Sequence, residues 1–101
     1  MIDDAIIEQL EELAKSFGIR IRSEAIKQDE DLVRVVGGLC KLKGEYVLII
    51  NSKATKADRI WTLATALKHF DVESIYLRPI IRELLDKIPE QEQFSPRKES
   101  L

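Results

Sequence analysis

Ile2, Ile6, Leu10, Leu13 and Phe17 recur at steps of three and four, with Ala14 beside them. That spacing predicts an amphipathic helix over the first 17 residues. Asp3 and Asp4 favour its start through the helix dipole. Gly18 stands where a left-handed residue would end it. Ile19 and Ile21 then alternate with Arg20 and Arg22, the period of a half-buried strand. Residues 24–31 are polar and predict a loop. LVRVV (32–36) predicts a second strand, which Gly37-Gly38 should interrupt with a bulge or bend. LCKLK (39–43) resumes the alternation, with Cys40 and Leu42 on the apolar face. Lys43-Gly44 reads as a turn into the strand Glu45–Ile50. YVLII is apolar throughout, so that strand is expected to be central and covered on both faces.

Thr55 followed by Asp58 is a variant capping box that opens a second helix. Ile60, Leu63, Ala64, Leu67 and Phe70 form its stripe. Residues 71–78 read as a connector with a short strand at 75–77. Pro79 suits the first turn of a last helix, whose inner face would be Ile80, Ile81, Leu84, Leu85 and Ile88. The prediction is an α+β fold. A small mixed sheet of three to four strands carries an N-terminal, a central and a C-terminal helix. Residues 1–88 form a single domain, and the polar residues 89–101 form an unstructured tail.

Composition narrows the function. Net charge is −2, which gives no overall electrostatic case for nucleic acid or an anionic membrane. No apolar run approaches the roughly 20 residues that a membrane-spanning helix needs. The acidic, amphipathic start is unlike a secretory signal, so the chain reads as cytoplasmic. One cysteine, Cys40, excludes an intrachain disulfide, and with His69 it makes a total of one Cys and one His. A structural zinc site ordinarily takes four such ligands, so no metal is expected. The Gly-x4-Gly-Lys-Ser/Thr phosphate loop is absent, and no cofactor motif is present.

Residues 62–70, TLATALKHF, follow an apolar strand that ends Ile49-Ile50-Asn51. With Phe17-Gly18-Ile19 and Gly38-Leu39 upstream, this order resembles the ImmA/IrrE family of zinc metallopeptidases over roughly residues 6–70. In that family the helix carries H-E-x-x-H. The resemblance places the first zinc-binding His at Thr65, the catalytic Glu at Ala66 and the second His at His69. Two His one turn apart clamp the metal, and the Glu takes a proton from metal-bound water. Ala66 cannot act as a base, and a single His cannot hold the metal. The resemblance therefore implies a non-catalytic relative, not an enzyme. It also implies a protein partner, with a helix-turn-helix transcription regulator as the class, or self-association.

Trp61, Thr65 and His69 lie at i, i+4 and i+8, a row that could border a partner groove. Two alternatives stand beside that expectation. Cys40 and His69 could form a metal-independent nucleophile–base pair, although Cys40 reads as a buried, inert thiol. Arg34, Lys41, Lys43, Lys53, Lys56 and Arg59 gather on or beside the hairpin and could form a basic, nucleic-acid-binding surface.

Overall fold

A computed structural model of the chain describes residues 2–25 and 37–94. The first helix, α1 (Ile2–Ser16), buries Leu10 and Ala14 and half-buries Ile6, Ile7, Leu13 and Phe17. Gly18 ends it at φ +83°, in the left-handed region. Ile2 heads the predicted stripe but stands exposed, as do the other residues of the first turn.

Three strands follow: β1 (Ile19–Glu24), β2 (Gly37–Leu42) and β3 (Glu45–Asn51). The sheet order is β1-β3-β2, with β3 parallel to β1 and antiparallel to β2. This is the mixed sheet of an α+β fold, with β3 at its centre. The β2–β3 turn has positive φ at both Lys43 (52°) and Gly44 (83°). That is the pattern of a two-residue hairpin whose twist matches its strands.

Two details of the hairpin correct the sequence reading. Gly37 and Gly38 pair in regular register with Ile50 and Ile49, so no bulge interrupts β2 there. The predicted strand 32–36 lies outside the described residues. The facing of β2 is also the reverse of that expected. Leu39 pairs with the buried Leu48 and packs on the core, whereas Cys40 pairs with Val47 and is exposed.

The sheet has one helix-covered face. Ile19, Ile21, Leu39, Tyr46, Leu48 and Ile50 point to it and join the hydrophobic core. Among the described residues, no helix packs on the opposite face. Val47 is nonetheless buried there, between Arg20 and Cys40 across the ladder.

Helix α2 (Lys56–Leu67) starts at the predicted cap: the Asp58 N–H donates to Thr55 Oγ1 at 3.1 Å. Leu63, Ala64, Ala66 and Leu67 are buried, and α2 packs against α1 and the sheet. The Lys56 ammonium adds an exposed ion pair to Asp4 across the two helices, at 3.0 Å. Residues 72–74 form a 3-10 turn and Ile75 is extended, but the short strand expected at 75–77 is not formed. The last helix, α3 (Pro79–Asp86), begins at Pro79 and buries Ile81 and Leu85. Ile80 is exposed. Ile81 and Leu85, four residues apart, define the inward face of α3, and Ile80 in its first turn lies about 100° round the helix from Ile81. Arg82 donates to Glu73 Oε1 and to the Ile75 carbonyl, both at 3.3 Å, and ties α3 to the 3-10 turn.

Leu63→Ala is expected to destabilise the protein by about 3 kcal/mol in urea unfolding, the usual cost of emptying a fully buried leucine site. Cys40→Ser should change stability by no more than about 0.5 kcal/mol, as for an exposed residue. A comparable loss in both variants would return the thiol to the core.

Candidate protein-binding site at the end of α2

The row Trp61–Thr65–His69 lies along α2 and runs just past its end. Lys68 N–H bonds back to the Ala64 and Thr65 carbonyls, and His69 N–H bonds to Ala66, so the winding continues after Leu67. Trp61 is 52% exposed. Thr65 is half-buried, and its Oγ1 is buried with no hydrogen-bond partner among the described residues. His69 is half-buried. Two helical turns, about 12 Å, separate Trp61 from His69. The row is thus a line of side chains and not a cluster.

His69 instead joins residues that the sequence did not single out. Its Nδ1 lies 2.7 Å from the Glu92 carbonyl oxygen, which can only accept, so Nδ1 carries the proton. Its ring stacks on Phe94 with centroids 4.4 Å apart and planes 6° from parallel. Phe94 also stacks on Tyr46 of β3 at 5.5 Å and meets the edge or face of Phe70 at 5.8 Å. Tyr46 and Phe70 make a further T-shaped contact at 5.1 Å, and Phe17 of α1 touches Phe70 at 5.5 Å. The result is an aromatic cluster joining α1, the sheet, the end of α2 and the C-terminal segment.

Backbone and amide groups hold the same segment. The Phe94 N–H donates to the His69 carbonyl at 2.9 Å, and Gln93 Nε2 donates to the Lys68 carbonyl at 2.6 Å. Carbonyls at a helix C-terminus lack intrahelical donors, and residues 93 and 94 supply them. Lys68 is buried, and its Nζ lies 3.4 Å from Glu90 Oε2. Residues 89–94 therefore return along the end of α2 and do not leave the domain as a structureless tail. The reason is local: Phe94 is an apolar ring within a polar stretch, and the aromatic cluster gives it a place. Residues 95–101 lie outside the described residues.

The other candidate residues separate. Ala66, in the position where the resemblance would put a catalytic carboxylate, is 4% exposed within the core. Among the described residues, no group of three or more His, Cys, Asp and Glu side chains is placed to hold a metal ion. Cys40 projects from the sheet face opposite Tyr46, whereas His69 belongs to the cluster on the Tyr46 side. The sheet stands between thiol and imidazole.

The basic residues also fail to form one surface. Lys41 and Lys43 lie at the hairpin-turn end of β3, with the Lys41 Nζ 5.2 Å from the Tyr46 ring centroid. Lys53, Lys56 and Arg59 follow the other end of β3. That strand has seven residues and spans about 20 Å. Lys56 is engaged with Asp4, and Arg59 is half-buried. Arg34 lies outside the described residues.

Sequence reasoning missed Phe94, Tyr46, Lys68 and Gln93. The available signal was a lone aromatic among polar residues, Gln91-Glu92-Gln93-Phe94, between Pro89 and Pro96. The buried Thr65 hydroxyl carries a stability cost. Thr65→Val, which keeps the shape and removes the hydroxyl, is expected to stabilise the protein by about 1 kcal/mol. A drop in the thermal or urea midpoint would show that the hydroxyl is bonded in the native state. Comparison with protein-family models, with curated proteins and with solved structures finds no match.

Proposed function

We propose that this chain is a non-catalytic protein-binding module, and that its binding surface is the end of α2 with the exposed face of the Trp61–His69 row. The observation that carries this reading is what His69 touches. The chain's one imidazole donates to the Glu92 carbonyl and stacks on Phe94, both in the chain's own C-terminal segment. A ring N–H on a backbone carbonyl and a ring stacked on a ring are also the contacts by which a partner segment would be held. The neighbouring Trp61 offers a large exposed aromatic, the residue type most enriched at energetic centres of protein interfaces.

Chemistry by nucleophile and base has less support. The thiol and the imidazole face opposite sides of the sheet, and position 66 turns a methyl into the core. The peptidase-like order of elements points to a transcription regulator as the partner class, with self-association as the alternative. A nucleic-acid surface has weak support, because the basic side chains divide between the two ends of β3.

The test is affinity capture from native extract with wild type and a Trp61→Ala/His69→Ala variant. At least one specifically retained protein should be lost from the variant. Cys40→Ser should retain the wild-type set. Identical partner sets for wild type and the double variant would remove the proposed surface.

A further inference from the structure

The segment 90–94 meets the domain as a bound peptide would. Four of the five residues after Pro89 contact the domain: Glu90, Glu92, Gln93 and Phe94. Lys68 provides the clearest asymmetry. Its side chain is 8% exposed, whereas the Glu90 carboxylate that pairs with it is 88% exposed. A buried ammonium requires an anion nearby. A carboxylate that is itself mostly in water can be exchanged for another.

The remaining needs are equally specific. The Lys68 and His69 carbonyls require donors, which Gln93 and the Phe94 backbone provide. His69 Nδ1 requires a backbone carbonyl. The slot beside His69, Tyr46 and Phe70 requires a flat ring. Beside these contacts the segment leaves a space open to solvent. An open cavity of about 360 Å³ lies between Lys68, Phe70 and Glu73 on the domain side and Glu90 and Gln93 on the segment side. Phe94 itself remains half-buried.

We propose that the end of α2 is a receptor for extended peptide segments with an acidic residue four positions before an aromatic one, and that residues 90–94 are its displaceable resident ligand. The occupant is a segment of a partner protein with that chemistry. An amide donor just before the aromatic completes the match, because it reaches the Lys68 carbonyl. The domain supplies the buried cation, the two carbonyls, the imidazole N–H and the ring slot. In the resting chain the tethered segment competes with the partner at an effective concentration of order millimolar, as short linkers give. The inference rests on the protein-binding reading above and names the ligand class for it.

The probe is a labelled synthetic peptide, PEQEQFS, with the sequence of residues 89–95. It is titrated by fluorescence anisotropy against the full chain as wild type, as Phe94→Ala and as Glu90→Gln/Gln93→Ala. The last variant removes the carboxylate paired with the buried Lys68 and the amide that caps its carbonyl, but leaves the Phe94 ring in place. Circular dichroism checks that both variants keep the wild-type fold. Each emptied chain should bind the peptide at least tenfold more tightly than wild type. Replacing Phe by Ala in the peptide, or adding Lys68→Gln to the protein, should weaken binding at least tenfold.

Equal affinity for a scrambled peptide, or no binding to either folded variant, would overturn the proposal. A wild-type dimer that grows with concentration in sedimentation and disappears in Glu90→Gln/Gln93→Ala would assign the site to a second copy and overturn the partner assignment. The two readings fail separately. Identical capture sets sink the Trp61–His69 surface. Absent peptide binding, with capture still sensitive to the double variant, sinks only the peptide receptor.

Discussion

The burial of α2 between α1 and the inner face of the sheet organises the rest of the molecule. Leu63 and Leu67 are fully excluded from water and share one core with Leu10, Leu48 and Ile50. Each such side chain contributes roughly 1.5–3 kcal/mol of transfer free energy. The same packing fixes which side of α2 is left over. Ala64 and Ala66 are small enough for the helix to lie close to its neighbours. With that face inward, Trp61 turns outward and His69 comes to the end of β3 that carries Tyr46. The candidate site is thus a by-product of core geometry: the residues that make α2 fit also decide what its exposed end displays.

Much of this fold was legible in the chain because several signals agreed locally. For α1, the apolar spacing, the acidic first turn and Gly18 all pointed to one helix. For α2, Thr55, Asp58 and the apolar stripe did the same. YVLII announced the central strand. Where one signal stood alone, it misled. In β2, Leu39, Cys40 and Leu42 are all apolar, so alternation could not fix which set faces inward. The ladder decides, and moving the inward set by one residue exchanges every side chain between faces. The glycine pair suggested a bulge, yet glycine also fits a regular ladder.

The site was less legible than the fold. His69 was visible as the single histidine, but its partners lie 23 to 25 residues away in sequence. Local periodicity carries no information at that range. A polar segment with one aromatic resembles a disordered tail by composition, and only a receiving surface tells the two apart. The basic residues gave the opposite error. They are close in sequence, but β3 separates them by its whole length.

The return of residues 90–94 to the end of α2 closes a loop that contains the 3-10 turn and α3. At eight residues, α3 is far shorter than a helix that stands alone in water. It is held by Ile81, Leu85 and Ile88, by Arg82, and by a chain fastened again beyond its end. Opening that fastening frees the C-terminal side of the loop and removes one of the constraints on α3. The C-terminal third of the domain therefore depends on two attachments, its share of the common core through Val72, Leu77, Ile81, Leu85 and Ile88, and the fastening at the end of α2. A segment bonded at the end of α2 thus also limits how far α3 can move from the sheet, a mechanical role separate from any contact it makes there.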